Sequence, residues 1–260
     1  MIPKTIHYCW FGRNPLPPLA QACIASWRKF LPDYEIREWN EDNFDVNCCP
    51  YTAEAYRQRK FAFVSDYARF WILHRHGGLY FDTDVEVIRP LDDIVARGNF
   101  MGFETDPDGV NSPGVYAPRY AYGVALGLGF GMEAGHPFLR EMLRRYEGMD
   151  FAGAEMSPWL KTIVSHTTEA LVERGLRNVP GIQRAGDITV YPAEYFAPIS
   201  VLTGRLRITP NTRTIHRYMG SWDGKKEGAS LKQRLRALLP DWVFVLHNRW
   251  KRRNYKYPQP

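Results

Sequence analysis

Two different spacings of apolar residues alternate along the first forty positions of this chain of 260 residues. Residues 2–10 are rich in β-branched and aromatic side chains, which predicts a strand that ends before Gly12. Residues 16–30 carry apolar side chains at helical spacing, and residues 34–39 predict a second strand. A strand–helix–strand beginning is typical of an α/β sheet with parallel strands.

Helices and strands continue to alternate through the rest of the chain. The predicted helix at 62–76 ends at Gly77-Gly78, a favourable helix C-terminus. The remaining predicted elements are helices at 52–59, 137–147 and 158–174, and strands at 79–81, 85–88, 99–103, 187–191, 205–208 and 212–216. Together these elements predict an open, mixed, mostly parallel sheet flanked by helices.

Two segments follow neither spacing. Residues 105–120 are rich in Pro, Gly, Asp and Tyr, which predicts an irregular loop able to cover a site. Residues 123–131 contain too many glycines for a helix, which indicates backbone packed close to a ligand or to another strand.

Two carboxylates, Asp82 and Asp84, follow the short apolar strand predicted at 79–81. Alternate residues of a strand point the same way, so these carboxylates converge and repel each other. A hard divalent cation relieves that repulsion, and its open coordination positions suit a diphosphate. The pair therefore indicates a metal–diphosphate site, with an acidic turn between two short strands as the alternative interpretation.

Asp66 and Arg69 lie three residues apart in the predicted helix at 62–76 and so share one of its faces. The simpler interpretation is a surface ion pair worth about 0.3–0.5 kcal/mol. However, this helix is strongly apolar, which indicates that it is mostly buried, and a buried charge pair needs a reason. One acid and one guanidinium facing inward suit sugar hydroxyls and a phosphate.

The composition, with 45% hydrophobic and 24% charged residues, is that of a soluble globular protein: one large domain, or one domain with appendages. The sequence contains no run of 18 apolar residues and no signal-peptide pattern at its N-terminus. The four cysteines have no zinc-type spacing. We therefore expect a cytoplasmic protein with reduced thiols.

The net charge of +6 is concentrated at the end of the chain, since residues 221–260 hold ten Lys/Arg against three Asp/Glu. That distribution argues against a nucleic-acid groove in the main domain. We expect a domain at 1–222 and a basic, amphipathic, helical tail at 223–260. The tail either packs on the body as a solvated helix pair or binds an anionic membrane surface as an interfacial helix.

Three further positions carry side chains suited to a ligand site. His216 ends a predicted strand and suits Mn²⁺ or Zn²⁺ if it reaches the Asp pair. Trp222 lies beside Ser221 in a glycine-containing loop, where it either packs or closes over a ligand. Trp10 lies at the carboxyl end of the first strand, where open α/β sheets bind ligands and an aromatic face stacks a base.

The chain resembles the bacterial glycosyltransferase family 32, the group described by its Asp-X-Asp sugar-binding region. Four blocks in this order carry the resemblance: residues 2–12 (IPKTIHYCWFG), 63–69 (FVSDYAR), 77–85 (GGLYFDTDV) and 215–222 (IHRYMGSW). The arrangement is also similar to the catalytic domains of the large clostridial glucosylating toxins. The last block resembles the closing loop of retaining galactosyltransferases that build lipooligosaccharide.

The resemblance implies a GT-A fold, a nucleotide-diphosphate sugar donor, a Mn²⁺ or Mg²⁺ ion, and transfer with retention at the anomeric carbon. The donor-binding residues that it implies are Trp10, Phe11, Gly12, Tyr80, Ser221 and Trp222, with Trp10 on the nucleobase. The catalytic residues that it implies are Asp66, Arg69, Asp82 and Asp84, and the metal ligands are Asp82, Asp84 and His216. We therefore expect a saccharide or lipid-linked acceptor in surface polysaccharide biosynthesis, with the enzyme in the cytoplasm at the inner face of the cytoplasmic membrane.

Other functions remain open at the level of sequence. If a covalent intermediate forms, Glu104, Asp106 and Glu133 are candidate nucleophiles by position. An Asp-X-Asp at a strand end also occurs in phosphohydrolases of the haloacid-dehalogenase kind, although usually at the first strand. A sugar-nucleotide-binding protein without transferase activity is the third possibility.

Overall fold

The computed structural model describes residues 1–107, 122–151, 163–200 and 203–219, together with residues 239, 240, 243 and 246. Its strands are β1 (Thr5–Cys9), β2 (Glu35–Trp39), β3 (Gly78–Tyr80), β4 (Val85–Val87), β5 (Phe100–Thr105), β6 (Gly123–Ala125), β7 (Phe130–Met132), β8 (Gln183–Ala185), β9 (Ile188–Tyr191) and β10 (Thr214–His216). Its helices are α1 (Pro18–Phe30), α2 (Pro50–Arg57), α3 (Phe61–His76), α4 (Asp92–Val95), α5 (Pro137–Glu147), α6 (Ile163–Val172) and α7 (Ala193–Phe196).

An eight-stranded sheet in the order β2-β1-β3-β7-β5-β9-β8 forms the centre of the molecule, and β6 pairs with β5. The pairings make β1, β2, β3, β5 and β9 point one way and the other three strands the opposite way. The prediction of an open, mixed, mostly parallel sheet flanked by helices is therefore confirmed. A separate two-stranded antiparallel ribbon joins β4 and β10.

Helix α1 shows how the apolar spacing becomes packing. Pro18 begins the helix, where its missing N–H costs no hydrogen bond. The buried residues are Ala20, Cys23, Ile24 and Trp27, spaced to form one stripe. Trp27 donates its indole N–H to the carbonyl oxygen of Val85 at 2.6 Å. The stripe thus places α1 against β4, directly after the Asp-X-Asp pair.

Helix α3 is buried over much of its surface and packs against α2, α5, β1 and β3. It ends at Gly77, whose φ of +63° suits glycine. A Cβ at that position would lie 2.8 Å from the backbone nitrogen of Ala134. Gly77 therefore ends the helix and allows the chain to pass directly into β3, which fixes α3 beside the strand that leads to the carboxylates.

The structure differs from the predicted elements in short segments. The prediction of a strand at 205–208 was wrong, because this segment forms only an isolated bridge, between Ile199 and Leu206. The glycine-rich segment forms β6, a turn and β7. Most of the loop predicted at 105–120 and of the tail predicted at 223–260 lies outside the described residues. Within the described part of the chain, no helix has both the length and the apolar character needed to cross a membrane.

Candidate active site

The carboxyl ends of three strands that run in the same direction bring the candidate residues together. Trp10 follows β1, Asp82 and Asp84 follow β3, and Glu104 lies near the end of β5. Because carboxyl ends of parallel strands meet at one edge of a sheet, these residues share that edge. Helix α3, which packs against β1 and β3, contributes Asp66 and Arg69, and β10 contributes His216.

We call Asp66, Arg69, Asp82 and Tyr80 the arginine cluster. The Arg69 guanidinium lies 3.1 Å from a carboxylate oxygen of Asp66 and 3.3 Å from one of Asp82. It also lies over the Tyr80 ring, 4.8 Å from the centroid, and its Nε donates to the carbonyl oxygen of Ser65 at 3.0 Å. Arg69 is therefore held from several sides and bridges the helix to the carboxylate strand.

Burial shifts the pKa values of the arginine cluster. Asp66 is 9% exposed, and burial raises the pKa of its carboxyl to about 7, although the Arg69 charge opposes the shift. Burial disfavours the Arg69 cation, but Asp82 and Asp66 outweigh it and raise the pKa of Arg69. Near neutral pH the site thus keeps a fixed positive charge beside a carboxyl that is able to gain or lose a proton.

Gly127, in the turn between β6 and β7, packs against Asp82. The amide of Asp82 donates to the carbonyl oxygen of Gly127 at 3.0 Å. A Cβ on Gly127 would lie 1.9 Å from Asp82 Oδ2, so any side chain there displaces the carboxylate. The glycine-rich composition predicted close packing at 123–131 but did not identify Asp82 as the neighbour.

We call Asp82, Asp84 and His216 the metal cluster, because one ligand atom of each lies within 4.8 Å of the others. His216 Nε2 lies 3.1 Å from Asp84 Oδ1. The donor set of two carboxylates and an imidazole suits Mn²⁺, and three protein ligands leave coordination positions for a diphosphate. In the described part of the chain, the buried Nδ1 of His216 has no hydrogen-bond partner, so this nitrogen remains able to bind a ligand or a hydrogen-bonding group.

The proton on His216 is stabilised by the same carboxylates. Burial lowers the pKa of His216, but Asp84, Asp82 and Glu104 outweigh it and raise the pKa to about 9. Burial works against the Asp84 carboxylate, yet the facing His216 lowers its pKa. A cation entering between them would replace that proton, since a metal ligand must be deprotonated. The residues therefore fit a divalent cation.

The chain after His216 closes over Asp84. The amide of Arg217 donates to the Asp84 carbonyl oxygen at 2.9 Å, and the amide of Met219 donates to Asp84 Oδ2 at 2.8 Å. Between them, Tyr218 has a φ of +51° and packs its ring edge-on against His216. A positive φ at a bulky residue is strained, and such strain is found at functional sites.

The turn after β1 separates three residues that the sequence grouped together. Trp10 is half-buried, and its indole N–H donates to the carbonyl oxygen of Asn14 at 2.6 Å. Phe11 is 5% exposed and packs against Phe44 in the core. Gly12 has a φ of +96° and donates its amide to Glu41 Oε1 at 2.6 Å. Trp10 is thus the one of the three whose ring lies at the sheet edge.

The other predicted donor residues occupy different surroundings. Tyr80 is 1% exposed and lies beneath the Arg69 guanidinium, where it supports that group. Ser221 and Trp222 lie outside the described residues.

Of the three candidate nucleophiles, Glu104 interacts electrostatically with Asp82 and His216. It is 8% exposed; burial raises its pKa and Asp82 adds to the rise, against the opposing charge of His216. Asp106 accepts the Ala193 amide at 2.9 Å, at the start of α7. Glu133 follows β7 at the opposite sheet edge, where it pairs with the N-terminal amine, so its prediction as a nucleophile was wrong.

Residues 17–101 match the family model for the glycosyltransferase sugar-binding region containing a DXD motif. Inositol phosphoceramide mannosyltransferase 3 of Schizosaccharomyces pombe is 27% identical over 147 residues, 55% of this chain and 36% of the relative. Initiation-specific alpha-1,6-mannosyltransferase of Candida albicans is 30% identical over 55% of this chain and 42% of the relative. The chain thus spans less than half the length of either relative.

The solved structure of PaToxG glycosyltransferase aligns with 66% of this chain and 69% of its own at 17% identity, with a TM-score of 0.49. That similarity is too low to carry an argument. The family match favours a glycosyltransferase over the phosphohydrolase alternative, since the matched segment includes Asp66, Arg69, Asp82 and Asp84. Residues 17–101 thus resemble the glycosyltransferase sugar-binding regions that contain a DXD motif.

Proposed function

We propose that the protein is a metal-dependent, retaining hexosyltransferase of the GT-A type. It would transfer a hexose from a nucleotide-diphosphate sugar to a saccharide or lipid-linked acceptor in surface polysaccharide biosynthesis. The observation that carries the proposal is the meeting of the metal cluster and the arginine cluster at Asp82. A cation held by the metal cluster would lie beside the fixed guanidinium, and the two positive charges would stabilise a diphosphate leaving group.

Each part of the site has a role in that reaction. Asp82, Asp84 and His216 would hold a Mn²⁺ or Mg²⁺ ion, which supplies positive charge against the diphosphate oxygens. Arg69 adds a second positive charge that needs no reorganisation, because Asp66, Asp82 and Tyr80 already fix it. Asp66 and Arg69 offer an acceptor and donors to sugar hydroxyls, and Trp10 offers a ring face to the nucleobase.

Retention of configuration does not require a protein nucleophile. As the sugar–phosphate bond breaks, the anomeric carbon becomes cationic, and the departing phosphate oxygen takes the proton of the acceptor hydroxyl on the same face. If a covalent intermediate forms, Glu104 is the carboxylate favoured by its burial beside Asp82 and His216.

The names of two relatives favour mannose as one sugar to test. One is named an inositol phosphoceramide mannosyltransferase and the other an initiation-specific alpha-1,6-mannosyltransferase. Since the chain covers less than half of either, the donor and the acceptor are proposals here.

The domain at 1–222 would carry this chemistry, and the basic tail at 223–260 would bring it to an anionic inner membrane surface. The prediction concerns residues that lie almost entirely outside the described part of the chain. Flotation with anionic liposomes tests it. The 260-residue chain should float, and a folded 1–222 truncation should not. Equal flotation of the two would contradict a membrane role for the tail.

A panel of nucleotide sugars tests the function directly. Purified protein is incubated with UDP-glucose, UDP-galactose or GDP-mannose and Mn²⁺, and release of the nucleoside diphosphate is followed without acceptor. We expect metal-dependent hydrolysis of one donor, abolished by a chelator and restored by added Mn²⁺. If the folded protein neither binds nor hydrolyses any nucleotide sugar over a wider panel of bases and sugars, the proposal fails.

A further inference from the structure

The ribbon of β4 and β10 connects the two halves of the metal cluster. Strand β4 begins directly after Asp84, and β10 ends at His216, which lies opposite Val85. The distance between Asp84 and His216 therefore depends on how firmly the two strands are held together. A ribbon of three residues on each side makes few backbone hydrogen bonds, so its side chains matter.

One side of the ribbon is fixed by α1. Trp27 donates to the Val85 carbonyl oxygen at 2.6 Å, and Ser26 Oγ accepts the Val87 amide at 2.9 Å. Both α1 residues lie in or next to the stripe that packs on the body of the protein. Strand β4 is thus a rigid support. Strand β10 is joined to it through the ribbon and is also held at its start, where the Thr214 hydroxyl lies 3.2 Å from the carbonyl oxygens of Leu128 and Phe196.

An ion pair continues the connection past the end of the ribbon. Arg217 Nε donates to Glu86 Oε2 at 2.8 Å, and Arg217 Nη2 donates to the same oxygen. Each side chain is about one third exposed, 34% for Arg217 and 33% for Glu86. The pair therefore fastens the first residue after β10 to the strand that α1 supports.

The backbone beyond Arg217 reaches the metal cluster within two residues. Tyr218 turns the chain at a φ of +51°, with its ring 4.3 Å from the His216 ring, and Met219 donates its amide to Asp84 Oδ2 at 2.8 Å. A shift of Arg217 would therefore move the imidazole and this amide relative to Asp84. Neither Glu86 nor Arg217 belongs to the metal cluster.

We propose that Glu86 and Arg217 form a positioning pair, which holds His216 and the Met219 amide at Asp84 and so sets the affinity of the site for a divalent cation and the donor diphosphate. This inference rests on the proposed function for its effect on the donor, but its effect on the cation is measurable without turnover. An ion pair that is about one third exposed contributes little to the free energy of unfolding of the whole protein. The effect of this pair should therefore appear in the affinity of the metal cluster for the cation and the donor.

Charge reversal of each partner, and of both together, tests the pair. Glu86→Arg and Arg217→Glu should each raise the Kd for Mn²⁺, measured by electron paramagnetic resonance, and the KM for the donor by about tenfold, with kcat changed less than about twofold. The double variant E86R/R217E should recover most of both losses, because the pair is restored with opposite sense. Arg217→Lys, which keeps the charge, should recover part of them.

Asp93→Arg is the matched control. It reverses the charge facing Arg213, 2.9 Å away, just before β10 and at the far end from Asp84. Its Mn²⁺ and donor constants should match those of the wild type. Thermal unfolding checks that each variant folds, and Glu86→Gln replaces any charge reversal that does not.

The outcomes separate the two proposals. Unchanged Mn²⁺ affinity in the folded single variants, equal losses in Asp93→Arg, or no recovery in the double variant would each overturn the positioning pair. If the wild type binds Mn²⁺ but turns over no nucleotide sugar, the proposed function fails while the Mn²⁺ measurements still decide the pair. Wild-type protein that binds no Mn²⁺ would overturn both.

Discussion

The arginine cluster and the metal cluster share Asp82, yet they are built differently. The arginine cluster lies between one helix and the strand that follows it, and its cation already faces two carboxylates. The metal cluster takes His216 from a distant part of the chain, and its three ligand groups lie close enough to share one cation. The first pairs a cation of the chain with carboxylates that are near it in sequence, whereas the second gathers donor groups suited to a divalent cation.

Because of this difference, substitutions in the two clusters should have different consequences. Removing the Arg69 cation from the arginine cluster leaves the buried Asp66 carboxyl without compensation, so stability should fall. Removing a ligand from the metal cluster relieves repulsion between carboxylates, so activity should fall while the fold remains. The predictions below test that contrast, from the largest expected effect to the smallest.

Asp84→Asn should lower metal-dependent turnover of the donor by about a thousandfold or more, because it removes a ligand and the ion-pair partner of His216. The initial rate of nucleoside diphosphate release measures the effect. Circular dichroism should match the wild type, and thermal unfolding should show that the variant stays folded. A folded Asp84→Asn variant with wild-type turnover would show that Asp84 holds no essential metal.

Arg69→Met should lower the free energy of unfolding by about 3–5 kcal/mol, because it leaves the buried Asp66 carboxyl and Asp82 without their shared cation. Urea unfolding near neutral pH measures it. The control is Arg217→Met, which breaks an ion pair about one third exposed and should cost only about 0–1 kcal/mol. Similar costs for the two variants would mean that the arginine cluster is solvated.

Asp66→Asn should change the pH dependence of stability. Since burial raises the Asp66 pKa from 3.8 to about 7, the unfolded chain releases this proton first as pH rises. The wild type therefore loses stability between those two values, and the loss is complete above pH 7.

Asparagine cannot ionise, so the variant lacks that contribution. The free energy of unfolding of the variant, minus that of the wild type, should rise by on the order of 2 kcal/mol from pH 4 to pH 7. Urea unfolding at several pH values measures this difference. A constant difference would show that Arg69 keeps Asp66 ionised throughout.

Gly127→Ala should lower kcat/KM for the donor by about tenfold, because the new methyl group would lie 1.9 Å from Asp82 Oδ2 and turn the shared carboxylate away from both clusters. Gly148→Ala is the matched control. Its φ is −86°, and the nearest atoms to a new Cβ lie at 3.6 Å, an ordinary contact. Equal activity of both variants would show that Asp82 tolerates displacement.

Elements with a long period and clear ends were predictable from the sequence. Helix α5 was predicted at 137–147 and occupies those residues, since Pro137 begins it and its apolar stripe is regular. The helices α4 and α7 were not predicted, because four residues form a single turn and carry no measurable period. Strand β8 was not predicted for the same reason. Its three residues form a strand by pairing with β9, which local spacing does not reveal.

The same distinction applies to the candidate site, where contacts between near neighbours in sequence were predictable and long-range contacts were not. Asp66 with Arg69, and Asp82 with Asp84, are near neighbours in sequence, so helical and strand spacing already placed each pair on one face. The contact of Arg69 with Asp82, the approach of Gly127, and the arrival of His216 are long-range. No local spacing encodes them, because they depend on the pairing of β4 with β10 and on the turn before β7.

The sequence alone determined which chemical groups this protein has and which of them share a strand or a helix face. The tertiary structure decided which pairs meet, and so that Asp82 serves both clusters, that Phe11 and Tyr80 are buried, and that Glu133 lies at the wrong edge of the sheet. The physical reason is the range of the forces involved. Backbone geometry fixes neighbours within a few residues, whereas strand pairing and burial fix the neighbours that chemistry requires.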